Sequence, residues 1–199
     1  MARVRGLASA VEVGRRVFLR HPVRADRDDV MALRRASWSF LRPWEPTPPT
    51  GEDPCGPVWF SRFLGRANTD GEKRFFLCRR ADGLVMGAVA LNAIARGVLQ
   101  SACLGYWIGE PYQRRGYMSA GVELALRHAF RKLRLHRLEA NIQPENRRSI
   151  ALVRRLGFRK EGLSPRYLKI AGRWKDHERW AILAEEWPSG AGGGSSCRH

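Results

Sequence analysis

The sequence of 199 residues predicts an α/β fold, one domain built around a central sheet of mixed strand direction. Short apolar runs have the length or alternation of strands, and other segments repeat apolar residues every three or four positions, as helices do. These two kinds of segment alternate in the middle of the chain. The content of 44% hydrophobic and 28% charged residues is typical of a chain that buries a core, which excludes a disordered or collagen-like protein.

The N-terminal part of the domain contains a strand, a helix and a proline-rich segment. Residues 17–19 form a short apolar run that predicts a strand. Asp26 precedes a helical pattern with carboxylates in its first turn, so we expect it to cap a helix that ends near Ser37. The stretch between Phe40 and Pro57 contains five prolines, which predicts a loop, and Trp44 is expected to anchor it.

The pattern then changes from helical to extended. Residues 58–66 predict a second helix. Residues 75–78 and 85–91 flank a turn at Asp82-Gly83, an arrangement typical of a β-hairpin. Residues 103–108 form another short apolar run, which predicts a buried strand.

Helices and strands continue to alternate towards the C-terminus. Apolar residues recur every three or four positions from Met118 to Leu133, which predicts a long helix, and residues 136–142 alternate as a strand does. Pro144 is expected in the first turn of a further helix, which Gly157 ends in a left-handed conformation. A final hairpin is predicted, with arms at residues 167–170 and 180–183 and a polar connection at residues 172–177.

The net charge of +17 has two explanations that the sequence leaves open. A polyanionic partner or a phosphate-bearing ligand would favour such a charge. Arginine supplies 31 of the 36 cationic residues and lysine 5, a bias that a GC-rich genome also produces.

Cysteine and histidine spacing argues against a metal or redox site. The cysteines lie more than twenty residues apart without a C-x-x-C pair, and the histidines lack metal-ligand spacing. We therefore expect no metal and a reducing, cytoplasmic setting. The N-terminal apolar run is too short for a signal peptide, and no stretch has the length of a membrane span, so no membrane partner is expected. The residues concerned are Cys55, Cys78, Cys103, Cys197, His21, His128, His136, His177 and His199.

The most informative segment is the polar loop between the strand at 103–108 and the long helix. Such a loop directs unpaired backbone N–H groups and the positive end of the helix dipole at one spot. Gly116 lets an anion approach the backbone closely, and Arg114 and Arg115 add positive charge. A pyrophosphate site is one interpretation, and an ordinary loop with a solvated arginine pair is the other.

Gln113-x-x-Gly116-x-Met118 resembles the acetyl-CoA pyrophosphate loop, Gln/Arg-x-x-Gly-x-Gly/Ala, of the Gcn5-related N-acetyltransferase (GNAT) superfamily. Met118 departs from the small residue at the last position of that loop. A second motif lies at the family's spacing from the first and resembles the branch that acetylates the N-termini of ribosomal proteins; it comprises residues 138–141, 144–149 and 156–162. Residues 41–44 and 172–177 also resemble the RimJ-type alanine N-acetyltransferases of that branch, and the resemblance covers residues 15–187.

This resemblance implies the GNAT fold, with flanking helices and a mixed sheet in which the strand ending at Ile108 splays from its neighbour. The exposed backbone of that strand would bind the pantetheine arm of acetyl-CoA, and the loop amides would bind the pyrophosphate. Asn146 offers a donor and an acceptor to pantetheine amides. The residues implied for acetyl-CoA binding are Trp107, Ile108, Gln113, Arg114, Arg115, Gly116, Tyr117, Met118, Asn141 and Asn146.

The resemblance also suggests two catalytic residues. Ser149 is the candidate general acid for the leaving thiolate, and the alternative is a hydroxyl bonded to a helix carbonyl. Glu139 is the candidate base, and the alternative is an ion pair with Arg137 or another arginine. A protein α-amine has a pKa of about 7.7 to 8.0, so a water relayed to Glu139 would suffice.

The expected function is transfer of acetyl from acetyl-CoA to the N-terminal amine of a protein, with a ribosomal protein beginning with Ala or Ser favoured. Alternatives are acetylation of a small amine, such as a polyamine or aminoglycoside, and a ribosome- or RNA-binding assembly factor on the same fold. Contact of a basic surface with the ribosome or rRNA is also expected. The predicted organisation is an extension at residues 1–13, a domain at 14–187 and a Gly/Ser-rich tail at 188–199.

Overall fold

The computed structural model describes residues 4–46 and 51–187 and contains one eight-stranded sheet flanked by helices. The strands are β1 Ala10–Val13, β2 Val17–Arg20, β3 Lys73–Arg79, β4 Val85–Ala95, β5 Ser101–Ile108, β6 Arg137–Ile142, β7 Arg159–Ile170 and β8 Arg173–Leu183. The α-helices are α1 Arg27–Ala36, α2 Trp38–Leu41, α3 Pro57–Gly65, α4 Tyr117–Arg127 and α5 Arg147–Arg155. No helix within the described residues is long and apolar enough to span a membrane.

The sheet has the strand order β1-β2-β3-β4-β5-β6-β8-β7. Neighbouring strands are antiparallel except for β5 and β6, which are parallel. The α/β class with mixed strand direction is therefore confirmed.

The parallel pair separates along its length. Pairing between β5 and β6 extends from Ser101 opposite Arg137 to Cys103 opposite Glu139. Beyond Cys103, β5 continues beside β4 as far as Ile108, while β6 continues beside β8 as far as Ile142. The two strands thus diverge and leave unpaired backbone groups on both sides of a gap, as the resemblance implied.

Two apolar layers cover the sheet. On one face, α4 and α5 bury a stripe that includes Val122, Leu126 and Val153. On the other face, α1 and α3 contribute Val30 and Phe60 to a separate cluster of aromatic residues. Burial of this apolar surface holds the two halves of the sheet in place around the gap.

Most elements agree with the sequence pattern. The strand at 17–19, the helix at 58–66, the two hairpins and the alternating strand at 136–142 are all present. The long helix is also confirmed, although its last turn, His128–Lys132, is π-helical. The hairpin connection is shorter than predicted, because residues 173–177 belong to β8. The predicted loop from Phe40 is less irregular than expected, since it begins with the end of α2 and continues in a 3-10 turn at Arg42–Trp44.

Three local predictions need correction. Residues 10–13 are an edge strand paired with β2, so the predicted extension contributes to the sheet, whereas the tail at 188–199 lies outside the described residues. Pro144 precedes α5, which Asn146 caps. Asp26 stands before α1 without capping it, because its buried carboxylate binds Arg20 in two hydrogen bonds of 2.7 Å. That ion pair is a tertiary contact, which a local helix-start pattern does not show.

Candidate active site

Two cavities meet in the gap between β5 and β6. The first, of about 770 Å³, lies between the end of β5, the start of α4 and α5. The second, of about 490 Å³, lies between β4, β5, β6 and the β7–β8 hairpin. The described residues that line both cavities are Trp44, Glu45, Tyr106, Trp107, Asn146 and Ser149. Trp44 therefore forms part of the wall of both cavities, whereas Trp174, in the β7–β8 hairpin, is 61% exposed.

The loop before α4 has the backbone shape of an anion site. Gly116, at the helix cap, has a φ of 75°, and Arg114 has a φ of 58°, both in the left-handed region. Within the described residues, no side chain caps α4, so the N–H groups of its first turn remain available beside the first cavity. A helix N-terminus in this form favours a phosphate.

Two arginines that the sequence analysis did not single out as site residues hold this loop. The Arg16 guanidinium donates to the Arg115 carbonyl at 3.0 Å and lies 4.6 Å from the centre of the Tyr117 ring. Arg148, on α5, donates to the side-chain oxygen of Gln113 at 2.6 Å. Both contacts join residues far apart in the chain, so no local motif could have indicated them.

Eight of the ten residues predicted to bind acetyl-CoA line the first cavity. They are Trp107, Ile108, Gln113, Arg114, Gly116, Tyr117, Met118 and Asn146. Arg115 is exposed and contributes its carbonyl to the contact with Arg16. Asn141 lines the second cavity instead, where its amide group donates to the Cys103 sulfur at 3.4 Å.

The hydroxyl groups of Tyr106 and Ser149 form a pair where the two cavities meet. Their oxygens are 2.5 Å apart, which joins β5 to α5 across the gap. Burial raises the pKa of Tyr106 to about 12, so its hydroxyl remains protonated at neutral pH. Asn146 accepts a hydrogen bond from the Ser149 backbone at 3.2 Å, which fixes the start of α5. The pair can deliver a proton into the gap, and Tyr106 is a member that the sequence analysis gave no role.

Glu139 lies in the paired part of β6, outside the described lining of either cavity. Arg137 donates to its carboxylate at 2.8 Å, and an Arg179 nitrogen is 3.8 Å away. The contact with Arg137 is the ion-pair alternative from the sequence analysis. Glu139 is two positions from Asn141 on the same side of the strand, and its role as a base stays a prediction.

The wall of the second cavity contains several aromatic and two cationic side chains. Arg34 is 1% exposed, and its guanidinium carbon lies 4.0 Å from the centre of the Trp59 ring and 4.9 Å from that of Trp107. Glu45 is the carboxylate among the described lining residues, and Arg34 approaches it at 3.4 Å. Arg74 adds a second guanidinium, which is paired with Glu72, so both nearby carboxylates already have a cationic partner. This cavity therefore offers little negative potential to a polycation.

His177 also lines the second cavity and is 3% exposed. Its Nδ1 lies 3.0 Å from the Lys175 carbonyl oxygen, and its ring meets the Tyr167 ring at an edge, with 5.8 Å between centres. The segment 172–177 belongs to the resemblance described above, but no local pattern in it indicates a role for this histidine. No three His, Cys, Asp or Glu side chains within the described ranges come together as a metal site.

The fold, the loop and the two cavities define an acetyltransferase of the GNAT type, and the chain belongs to that family. The family model described as Acetyltransferase (GNAT) domain matches residues 16–159.

The chain is also similar to several individual acetyltransferases. The chain is 36% identical over 155 residues to the [Ribosomal protein uS5]-alanine N-acetyltransferase of Escherichia coli, covering 76% of this chain and 79% of that enzyme. The structure of Mycobacterium smegmatis RimJ in complex with CoA-disulfide matches with a TM-score of 0.80 and 35% identity, over 87% of this chain and 84% of that one. The spermidine N(1)-acetyltransferase of Vibrio cholerae is 28% identical over 59% of this chain and 68% of its own length.

Proposed function

We propose that this enzyme transfers an acetyl group from acetyl-CoA to the N-terminal α-amine of a protein, namely a ribosomal protein that begins with Ala or Ser. The observation that carries the proposal is the meeting of two cavities at the Tyr106–Ser149 hydroxyl pair. One cavity suits a phosphate-bearing donor, and the other suits an acceptor that approaches from the opposite side. The uS5-alanine N-acetyltransferase and RimJ relatives support the choice of acceptor.

The first cavity fits acetyl-CoA, which supplies the acetyl thioester. The uncapped first turn of α4, with Gly116 and Arg114, would bind the pyrophosphate through backbone N–H groups. The unpaired edge of β5 at Trp107 and Ile108 would bind the pantetheine amides, since strand N–H and C=O groups there have no β6 partner. Asn146 lies beside that path.

The Tyr106–Ser149 pair is the group proposed to protonate the departing thiolate. Transfer from a hydroxyl of pKa about 12 to a thiolate of pKa about 8.5 is unfavourable alone, so it would be coupled to the return of a proton from the acetylated nitrogen, a much stronger acid. Ser149 was the candidate acid from sequence, and its contact with Tyr106 supports that proposal.

A polyamine acceptor, the second candidate, is disfavoured by the charge of the second cavity. The guanidinium groups of Arg34 and Arg74 line it, and the carboxylates that approach them, Glu45 and Glu72, are already paired with these arginines. A spermidine-like cation would lose hydration there without gaining an anionic partner. The lower identity to the spermidine enzyme is consistent with this argument.

The function is tested by thiol release from acetyl-CoA with peptides beginning with Ala, Ser, Met or Glu, beside spermine and an aminoglycoside. We expect Ala and Ser peptides to exceed the other acceptors by at least about tenfold in kcat/KM, since misplacing the reacting amine by about 1 Å can cost about 10²-fold. Preference for spermine or the aminoglycoside would overturn the proposal. Failure of the folded wild-type protein to bind acetyl-CoA, measured by calorimetry, would favour the assembly-factor alternative.

We also propose that the acceptor is presented on the ribosome, with rRNA contacting the tip of the β7–β8 hairpin. Four cations there make no ion pair within the described residues, and the exposed Trp174 lies among them. Ribosomal proteins are themselves basic, so rRNA phosphates would supply the attraction that a free substrate lacks. The four cations are Arg166, Lys169, Arg173 and Lys175.

Acetylation of a ribosome-bound substrate is expected to be faster than that of the free protein and to slow steeply as salt rises. Replacing Arg166, Lys169 and Arg173 together by Ala should reduce that advantage and its salt dependence, while kcat/KM on a short peptide stays within about twofold. A matched triple replacement of Arg24, Arg27 and Arg80 serves as the control. Equal rates on free and ribosome-bound substrate would contradict this proposal.

A further inference from the structure

The proposed reaction needs a group that removes a proton from the incoming ammonium. At neutral pH a protein α-amine is mostly protonated, because its pKa is about 7.7 to 8.0. Glu139 is held by Arg137 at 2.8 Å and lies outside the described cavity lining, so its carboxylate is already committed to a cation. The second cavity contains a different candidate for this step.

His177 has the position and the tautomer of a proton acceptor. It is 3% exposed overall and lines the second cavity, on the side of β8 shared by Arg179 and, through the strand pairing, by Asn141. A carbonyl oxygen accepts but does not donate, so the 3.0 Å contact with the Lys175 carbonyl places the proton of the neutral imidazole on Nδ1. The lone pair is therefore on Nε2, for which no hydrogen-bond partner exists among the described residues.

We infer that His177 Nε2 accepts the proton of the acceptor ammonium in the second cavity, with the Lys175 carbonyl holding the imidazole in the required tautomer. This inference rests on the proposed transfer to an amine and names the residue that prepares that amine. The ammonium N–H bond breaks, and the proton moves to Nε2. The freed amine forms the new N–C bond, the C–S bond breaks, and the thiolate takes a proton from the Tyr106–Ser149 pair. The acetylated nitrogen then gives its second proton to the Tyr106–Ser149 pair, which replaces the proton that the thiolate took. His177 releases its proton to water.

Aromatic, charged and titratable groups from several elements surround His177. The Tyr167 ring contacts it from β7, and Lys175 lies on its own strand. The titratable or charged groups of other elements that line this cavity are Arg34, Glu45, Arg74, Cys103, Tyr106 and Tyr167.

His177→Asn is the test, because the Asn amide can keep the hydrogen bond to the Lys175 carbonyl but has no titratable nitrogen. We expect kcat/KM for the best peptide acceptor to fall about 10²-fold at pH 7 and about tenfold at pH 9, where the amine is already neutral. Acetyl-CoA affinity and thermal stability should stay at wild-type values. His177→Ala should regain activity when imidazole is added. His136→Asn, an exposed histidine outside the described cavity lining, is the matched control and should keep the wild-type pH profile.

Three results would overturn the inference. They are a His177→Asn enzyme within threefold of wild type at pH 7, a loss that is equal at pH 7 and pH 9, and a His177→Ala enzyme that imidazole does not rescue. An equal loss across pH would assign His177 a structural role. If wild-type enzyme acetylates no amine at all, the proposed function fails instead, and the two failures are thereby distinguished.

Discussion

Tyr106→Phe and Ser149→Ala are each expected to lower kcat about 10²-fold, the size of a typical general-acid contribution. The two hydroxyls are 2.5 Å apart and would act as one unit, so the double variant should be little worse than either single variant. Acetyl-CoA affinity should change less than about threefold, because neither hydroxyl lies at the loop before α4. Steady-state thiol release and calorimetry measure these quantities.

Tyr167→Phe is the matched control, since it removes a phenol hydroxyl from the second cavity and keeps the ring beside His177. Its kcat should stay within about threefold. Because burial raises the pKa of Tyr106 to about 12, the wild-type enzyme should lose no activity through this group below pH 10. Additive losses in the double variant would contradict a shared proton relay.

Gly116→Val is expected to weaken acetyl-CoA binding about 30-fold, as measured by calorimetry. The φ of 75° at Gly116 is a conformation that a β-branched residue rarely adopts, and the left-handed region costs other residues roughly 1–2 kcal/mol or more. Space is not the obstacle, because an added Cβ would have Arg16 Nη1 at 3.8 Å as its neighbour. The loop would therefore rotate, and the backbone N–H groups would leave the cavity.

Gly116→Asn provides the control, since Asn tolerates the left-handed conformation. Its acetyl-CoA affinity should fall less than about fivefold. Equal losses for Val and Asn would show that the side chain itself, and not the backbone conformation, disturbs the site.

The local parts of the fold were predictable from sequence because their causes are local. Alternation at 136–142 predicted β6, and the apolar spacing from Met118 predicted α4. The corrections have tertiary causes. Asp26 binds Arg20 in preference to capping α1, and residues 10–13 form a strand because β2 offers them an edge.

The residues of the candidate site likewise fall into those that a local motif indicates and those that only tertiary contacts bring together. The loop from Gln113 to Met118 is a continuous motif, so its residues could be named before the structure was known. Tyr106 and His177, by contrast, reach the site from separate strands. The partner of Tyr106, Ser149, is distant in the chain, and the ring beside His177, Tyr167, lies on the other arm of its hairpin. No local spacing connects such pairs.

The α/β class, the anion-binding loop and the resemblance to acetyltransferases were all readable from the chain, because periodicity and a contiguous motif depend on neighbouring residues. Three features depend instead on contacts between distant residues: the hydroxyl that faces Ser149, the arginines Arg16 and Arg148 that brace the loop, and the presence of His177 rather than Glu139 in the second cavity. These contacts arise from the divergence of β5 from β6. The sheet pairing of each strand with its other neighbour opens that gap, and the packing of α5 across it brings distant side chains together.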